Sequence, residues 1–331
     1  MTTMLELVER FPAQLTEAIQ IGEAAHITKS KTPIRNVFVS GLGGSGIGAN
    51  FVQELVRSEI KVPFTVGKSY DIPAFINKFT LVILSSYSGN TEETLSAFDL
   101  ALKTGAKIVC ITSGGKMLAR AKELKIDYVQ LPDNWPSPRA CLGFSLVQQL
   151  YVLNKLKLIS SRIIRQLPGA TALIEKNQEN LKKEGLKLAK QLNGKLPIIY
   201  TTDRMESVAV RFRQQLNENS KSLGWSQVIP EMNHNELVGW TGDYNQTAVV
   251  FLRTKDDYSR NAVRIDIIKK IISEHTQTVI ELMAKGKNDI EQRMYLVHLC
   301  DFASVYLSAL RNHDSMEIKV IDFLKGELAK V

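Results

Sequence analysis

Short apolar runs alternate with longer amphipathic stretches along the first half of the chain. These short runs predict five strands, over residues 36–40, 63–67, 80–85, 107–112 and 127–130, and those over 36–40 and 80–85 are apolar enough to be buried. Among them, apolar residues with helical spacing predict helices over 48–58, 91–104 and 116–123. Strands that alternate with helices indicate a mainly parallel sheet that is covered on both faces.

The second half of the chain repeats this α/β pattern in a divergent form. A turn-rich break, Asn134-Trp135-Pro136-Ser137-Pro138-Arg139, is followed by predicted helices over 144–155 and 170–192. Strands are then predicted from residue 196, over 247–253 and over 276–281, with helices over 205–217, 292–310 and 318–328. We therefore predict an N-terminal α/β domain (1–155, with an N-terminal helical segment), a helical connector (156–194) and a C-terminal α/β domain (195–331).

Composition narrows the class of protein. A chain of 331 residues with 44% hydrophobic and 23% charged residues suits two globular domains. No apolar run approaches the roughly 20 residues that a membrane span needs, and the N-terminus lacks the pattern of a secretory signal. Three widely spaced cysteines argue against a disulfide framework. We expect a cytoplasmic protein that does not bind membranes.

The net charge of +8 raises the question of nucleic-acid binding. The basic residues are scattered through predicted helices, and no basic stripe is interleaved with aromatic residues. We expect no nucleic-acid partner and interpret the charge as a solvated basic surface that also favours anionic ligands.

Two glycine- and serine-containing turns follow predicted strands. The first is Gly41-Leu42-Gly43-Gly44-Ser45-Gly46, and the second is Ser86-Tyr87-Ser88-Gly89-Asn90-Thr91. Glycines let backbone N–H groups converge, and hydroxyls beside a helix N-terminus favour an anion. Ligands of parallel sheets gather at the carboxyl ends of the strands, where both turns lie. The pair predicts a phosphorylated ligand that is bound without a metal.

Other interpretations of the two turns are weaker. A dinucleotide fingerprint would need a carboxylate at the end of the second strand, where the sequence is Gly67-Lys68-Ser69. Thr91 could also cap the following helix, a role that is compatible with phosphate binding. A small phosphate ligand is therefore favoured over a nucleotide.

Three polar positions elsewhere are candidates for chemistry. Glu218 falls where a predicted helix should end, and its spacing alone assigns it no role. His234 lies in Glu231-Met232-Asn233-His234-Asn235-Glu236, and polar residues of loops are functional more often than residues of the core. With no second histidine or cysteine at ligand spacing, we expect no metal site. Arg139 suits either a ligand contact or an ion pair between domains, and both remain open.

Taken together, these segments resemble the bifunctional phosphoglucose/phosphomannose isomerase family, whose members consist of two sugar-isomerase (SIS) domains. The resemblance extends from about residue 33 to the C-terminus. The two turns occur in SIS domains generally. The narrower signals are Leu216-Asn217-Glu218-Asn219 and Asn233-His234-Asn235-Glu236-Leu237-Val238-Gly239-Trp240.

The resemblance implies an aldose–ketose isomerase that interconverts glucose 6-phosphate with fructose 6-phosphate through a cis-enediolate, without cofactor or metal, and mannose 6-phosphate is a second candidate substrate. It implies Glu218 as the catalytic base, Arg139 beside the reacting carbons, and His234 as the ring-opening group, contributed by the neighbouring subunit of a homodimer. It implies a C-terminal lysine, Lys319 or else Lys325. The phosphate-binding residues that it implies are Gly43, Gly44, Ser45, Ser86, Ser88 and Thr91.

One departure from the family affects the expected substrate. Where the family often has a threonine linked to the mannose epimer, this chain has Asn312 or, if the alignment slips, Ser315. The resemblance thus supports glucose 6-phosphate more strongly than mannose 6-phosphate. Two alternatives stay open: a non-catalytic SIS regulator that binds phosphosugars, and an isomerase of another sugar or amino-sugar phosphate.

Overall fold

The structure is a computed structural model, and it describes residues 2–328 and 330. The chain divides into two compact units. The first-sheet unit comprises Glu9–Glu175 and Gly286–Met294, and the second-sheet unit comprises the segment up to Val8, Lys176–Lys285 and the chain from Tyr295 onward. The domain boundaries 1–155, 156–194 and 195–331 stay a prediction.

The helices and strands follow one another in the order expected for α/β units. The described helices are α1 (Met4–Glu9), α2 (Phe11–Ala24), α3 (Gly43–Val56), α4 (Glu92–Leu102), α5 (Gly115–Glu123), α6 (Leu142–Lys155), α7 (Arg162–Lys176), α8 (Gln178–Leu192), α9 (Glu206–Ser220), α10 (Ser259–Ser273), α11 (Asp289–Leu310) and α12 (Lys319–Leu328). The described strands are β1 (Asn36–Ser40), β2 (Phe64–Gly67), β3 (Thr80–Ser85), β4 (Lys107–Thr112), β5 (Asp127–Gln130), β6 (Leu196–Thr202), β7 (Trp225–Ile229), β8 (Thr247–Arg253) and β9 (Val279–Met283).

The first sheet has five parallel strands in the order β2-β1-β3-β4-β5. Phe38 and Val82 pack under α4 and α5 in a fully buried core. The helices α3 and α6 contact β1 and β4, and α2 packs on α6. Burial of both faces explains why the central strands β1, β3 and β4 are mainly apolar runs.

The second sheet has four parallel strands in the order β7-β6-β8-β9. Tyr200 and Phe251 form a core with Ile265 of α10, and α9 packs against β6 and β7. The order of the second sheet repeats that of β2-β1-β3-β4 in the first. The predicted fold class, two α/β domains of SIS type with parallel sheets flanked by helices, is confirmed.

The structure corrects several predicted elements. The helix predicted over 170–192 is wrong, because α7 and α8 are separate helices that meet at Asn177. The strand β7 was not predicted, since it is a half-exposed strand with the polar residues Ser226 and Gln227 at its centre. The strand predicted over 276–281 lies instead at Val279–Met283, and Thr276 precedes it in a turn where its hydroxyl donates to the Thr247 carbonyl.

One correction concerns a candidate site residue. The helix predicted over 205–217 continues to Ser220, so Glu218 lies in the last turn of α9 rather than after it. Within residues 2–328 and 330, no helix has both the length and the apolar composition that crossing a membrane requires.

Candidate functional site

The two glycine- and serine-containing turns lie at the carboxyl ends of β1 and β3, which are neighbours in the first sheet. Ser145 of α6 links them, since its hydroxyl lies 3.3 Å from the Ser45 carbonyl oxygen and 3.2 Å from the Ser85 hydroxyl. The parallel pairing explains this meeting, because adjacent parallel strands end at the same edge of a sheet.

The first turn requires glycine for close packing. Gly43 opens α3 with a φ of 52°, in the left-handed region. A side chain at Gly44 would place its Cβ 2.9 Å from the Pro138 carbonyl oxygen, closer than normal contacts allow. Gly44 therefore lets the segment that carries Arg139 lie directly against the N-terminus of α3.

The second turn is held by its own hydroxyls. The Ser86 and Thr91 hydroxyls lie 2.8 Å apart, and the Gly89 N–H donates to the Ser86 oxygen at 3.1 Å. Thr91 is the N-cap of α4, but within the described part of the chain its side chain caps no helical N–H. The capping role considered for Thr91 is thus replaced by a bond to Ser86, and Ser88 is exposed beside the pair.

Arg139 lies in a short 3-10 helix, Pro138–Ala140, beside the first turn. The Ala140 carbonyl accepts a hydrogen bond from the Gln14 side chain at 2.8 Å, which ties this helix to α2. Arg139 is only 6% exposed, so its charge acts in a poorly solvated environment. The structure thus gathers all the predicted phosphate-binding residues and Arg139 in the first-sheet unit.

Glu218 and the segment before Lys319 meet in the second-sheet unit. Lys221, which ends α9 in the left-handed conformation, donates its ammonium to the Glu218 carbonyl and to the Glu317 carbonyl, both at 2.7 Å. Glu218 is half-buried, whereas Lys319 and Lys325 are exposed on α12. Lys221 had no predicted role, and its only signal in the sequence was its place directly after the Leu-Asn-Glu-Asn segment.

Polar bonds to α11 fix the helix that carries Glu218. Arg211 forms a buried ion pair with Asp301 at 2.6 Å, and the Asn219 side chain donates to the Ser304 hydroxyl at 2.9 Å. Burial raises the pKa of Asp301, and the Arg211 charge opposes that rise. Because a buried pair of this kind is costly to break, α9 is held in one register against α11.

His234 is exposed on a loop with buried anchors. Met232 and Trp240 hold the two sides of the loop in the core. The Glu236 carboxylate accepts hydrogen bonds from the Tyr200 hydroxyl and, at 2.8 Å, from the Trp225 indole N–H. Burial, together with Glu236, raises the pKa of Tyr200. Glu236 lay inside the motif that the sequence singled out, but its partners are distant in the chain.

The first-sheet unit offers hydroxyls, helix N-termini and a buried cation for an anion. The second-sheet unit by itself offers a carboxylate and an exposed histidine. Among residues 2–328 and 330, no group of three or more His, Cys, Asp and Glu side chains could hold a metal ion. Sequence reasoning did not assign a role to Tyr87, whose hydroxyl forms hydrogen bonds with Pro132 and Trp135 in the segment before Arg139. Its signal was its place between two serines of the second turn.

Two family models define the class of protein. A model described as the SIS domain matches residues 32–151, and one described as the bacterial phospho-glucose isomerase C-terminal SIS domain matches residues 181–328. The C-terminal domain of a glucosamine-fructose-6-phosphate aminotransferase from Francisella tularensis has the same fold, with a TM-score of 0.75 at 13% identity over 95% of this chain and 98% of that one. The class is thus a protein with two SIS domains.

Closer relatives identify the family. A bifunctional phosphoglucose/phosphomannose isomerase from Aquifex aeolicus is 38% identical over 307 residues, covering 92% of this chain and 93% of the relative. A protein of the same name from Caldicellulosiruptor bescii is 37% identical over 339 residues, covering 99% of each. The chain belongs to the bifunctional phosphoglucose/phosphomannose isomerase family. The predicted family and enzyme class, an isomerase of phosphorylated sugars, are confirmed.

Proposed function

We propose that this chain interconverts glucose 6-phosphate with fructose 6-phosphate through a cis-enediolate. The main support is the cluster in which the hydroxyls of Ser86 and Thr91 share one sheet edge with Ser45, next to the buried Arg139. The relatives from Aquifex aeolicus and Caldicellulosiruptor bescii are named for this activity. The reaction moves one proton between adjacent carbons, so it requires no net oxidation of the sugar.

Each candidate residue has a distinct task in this proposal. The hydroxyls and amides of the two turns hold the phosphate and thereby orient the reacting carbons. Glu218 takes the proton from C2 and returns it to C1, while Arg139 stabilises the negative charge on the enediolate oxygens. His234 and Lys319 open the sugar ring by proton transfer at O5 and O1.

The experiment that tests the base is Glu218→Gln, which keeps the shape of the side chain and removes its basicity. We expect kcat to fall by about 10²–10⁴-fold, while the inhibition constant of inorganic phosphate changes little. Glu206→Gln is the matched control, because Glu206 is exposed at the opposite end of the same helix. Wild-type turnover in Glu218→Gln would contradict the assignment.

We further propose a homodimer in which His234 serves the partner subunit's site. The support is the surface around the histidine: Val238 is 80% exposed, and Val263 and Ile267 are exposed on α10. Arg264 of α10 contacts Asn233, at 3.5 Å, so these apolar side chains and His234 share a neighbourhood. Exposed apolar surface of this kind is typical of protein interfaces.

Mixing two inactive variants tests the shared site. In a dimer of Glu218→Gln with His234→Ala, a site with both wild-type groups exists only if the histidine crosses to the partner. Dissociation and reassociation of an equal mixture should then restore up to about a quarter of wild-type activity, from the half of the dimers that are mixed. Absence of recovery, with mixed dimers verified by mass, would place both groups in one subunit.

The substrate range needs a separate assay. Asn312, where the family often has threonine, is exposed and adopts a φ of 56° after the end of α11. We propose that glucose 6-phosphate is the better substrate and mannose 6-phosphate the poorer one. Coupled assays with both, with fructose 6-phosphate and with glucosamine 6-phosphate test this. Activity on the amino sugar alone would indicate another isomerase of the same fold.

We propose the cytoplasm as the place of this reaction. Cys110, Cys141 and Cys300 are all free and buried, which fits a reducing compartment. Fractionation of cells that express a tagged chain tests the location, and recovery of the protein with the membrane or outside the cell would contradict it.

A further inference from the structure

Tyr87 interrupts the hydroxyls of the second turn, between Ser86 and Ser88. Its phenol hydroxyl leaves the turn and donates to the Pro132 carbonyl at 2.7 Å. The same oxygen accepts a hydrogen bond from the Trp135 backbone N–H at 3.2 Å. One side chain therefore holds both ends of the segment 132–135, which leads directly to Arg139.

The base of the Tyr87 side chain is itself fixed. Its carbonyl accepts hydrogen bonds from the Ser113 N–H at 2.9 Å and from the Ser113 hydroxyl at 2.6 Å, just beyond β4. Burial is the main cause that raises the pKa of the Tyr87 hydroxyl, which therefore stays protonated and able to donate. Tyr87 thus links the end of β4 to the segment 132–135 and restrains both.

The path from Trp135 to Arg139 is short and stiff. Trp135 is buried, and its ring packs edge-on against Phe144 at a centroid distance of 5.8 Å. The following turn closes through the Ala140 N–H, which donates to the Ser137 carbonyl at 3.0 Å. The Pro138 carbonyl lies against Gly44 of the first turn. These contacts form a continuous connection from Trp135 to the Arg139 backbone.

We propose that Tyr87 is a positioning residue, which couples the phosphate-binding turn to Arg139 and so aligns the guanidinium with the reacting carbons when phosphate is bound. This inference rests on the proposed function, because it takes Arg139 to stabilise the enediolate. Two hydroxyls that flank Tyr87, those of Ser86 and Ser88, are the groups that contact phosphate in that proposal. Phosphate binding and placement of Arg139 are then linked through one side chain.

The test is Tyr87→Phe in the full chain, which keeps the ring and removes the hydrogen bonds of the hydroxyl to Pro132 and Trp135. We expect kcat for fructose 6-phosphate to fall about 10–100-fold, while the inhibition constant of inorganic phosphate stays within about twofold. Tyr70→Phe is the matched control, since Tyr70 is exposed and its hydroxyl bonds to Glu92 at 3.3 Å in the same unit. We expect this control to retain wild-type kcat.

A double-mutant cycle decides whether Tyr87 acts through Arg139. If it does, Tyr87→Phe adds less than about threefold to the loss that Arg139→Lys alone causes. Additive losses would overturn the coupling, and so would an unchanged kcat in Tyr87→Phe or a weaker phosphate affinity as the sole effect. If Arg139→Lys itself retains full activity, the proposed role of Arg139 fails instead, so the two failures are distinguishable.

A second variant covers the case in which Tyr87→Phe does not fold. Ser113→Ala removes one of the three hydrogen bonds that the Tyr87 carbonyl accepts, the others coming from the Ser113 N–H and, at 3.4 Å, from the Thr112 hydroxyl, and it leaves the phenol hydroxyl in place. A looser tyrosine should lower kcat by about two- to fivefold with unchanged phosphate inhibition, and the loss should again disappear in the Arg139→Lys background. Wild-type kcat in Ser113→Ala, together with loss of folding in Tyr87→Phe, would limit Tyr87 to a structural role and overturn the proposal.

Discussion

The two sheets share one strand order, yet the turns that follow their equivalent strands differ in chemistry. After β1 and β3 the turns carry glycines and hydroxyls, with Gly44, Ser86 and Thr91 among them. After β6 and β8 they carry acids, in Thr202-Asp203-Arg204 and Thr254-Lys255-Asp256-Asp257. The topology therefore gives each sheet an edge, at the carboxyl ends of its strands, where a ligand could bind. The side chains of the turns decide which of the two edges attracts an anion.

The turn after β8 shows how an anion position is filled from within the chain. The buried Asp257 carboxylate accepts hydrogen bonds from the Thr254 N–H at 3.3 Å and from the Thr254 hydroxyl at 3.0 Å, and it pairs with Arg253 at 3.5 Å. In the turn after β3, the Ser86 hydroxyl instead accepts from a backbone N–H and meets the Thr91 hydroxyl. One turn satisfies its donors with its own carboxylate, and the other keeps hydroxyls that can turn toward a ligand.

The largest effect that we expect from testing this comparison comes from changing the second turn, Ser86–Thr91, which follows β3. Ser86→Ala combined with Thr91→Val removes two hydroxyl donors to a charged phosphate, at roughly 1.5–3 kcal/mol each. We expect KM to rise by about 10²-fold or more with a smaller change in kcat, measured by a coupled assay with fructose 6-phosphate.

The matched control is Thr254→Val in the equivalent turn of the second sheet. It should cost stability, because Asp257 loses a hydrogen bond, and leave KM unchanged. An equal rise of KM in this control would mean that the turn after β3 has no special role in substrate binding.

Much of this comparison could be predicted from the sequence, and the reasons for the gaps are physical. The strands β1, β3, β4, β5 and β8 have the predicted bounds. All of these except the edge strand β5 are largely buried, and buried parallel strands are continuous apolar runs. The polar turns were visible for the same reason, as interruptions after such runs. Tyr87 was not, since its hydroxyl partners lie 45 and 48 residues away in the chain. A contact of that range depends on how the turns fold together, which residue spacing does not encode.

The second expected effect separates the two units by their response to acid. His298 lies fully buried on α11 in the second-sheet unit and packs against Phe302 at 4.6 Å. Burial, with a smaller contribution from Lys182, lowers the pKa of His298 to about 3. In the unfolded chain a histidine has a pKa of about 6.5. Between these values the unfolded state binds more protons, so stability falls as the pH falls.

From pH 7 to pH 5 this histidine should cost the second-sheet unit about 2 kcal/mol of unfolding free energy. Urea unfolding followed by fluorescence measures it, in a Trp135→Phe background that leaves only Trp225 and Trp240, both in this unit. His298→Leu should reduce the acid dependence, whereas His26→Leu at an exposed position should not. Equal slopes in both variants would assign the acid sensitivity to other groups.

The smallest effect that we expect from these comparisons concerns the two lysines of α12, Lys319 and Lys325, in the second-sheet unit. Lys319 begins α12 two residues after Glu317, whose carbonyl shares the Lys221 ammonium with the Glu218 carbonyl. Lys325 lies six residues further on the same helix, about 9 Å along the axis and on a different face. The two lysines therefore cannot replace each other at one site.

Lys319→Ala should lower kcat about tenfold, and Lys325→Ala should leave it within about twofold, in a coupled assay at saturating glucose 6-phosphate. This loss is smaller than the effect of changing Ser86 and Thr91, because Lys319 assists ring opening and does not hold the substrate. A substrate analogue that lacks the hydroxyl needed for ring closure should narrow the gap between the variants, since ring opening is then bypassed. A slower Lys325→Ala variant would contradict this prediction. The hydrogen bonds from Lys221 to the Glu218 and Glu317 carbonyls would then not indicate the position of the site, and α12 would present the face of Lys325 to the substrate.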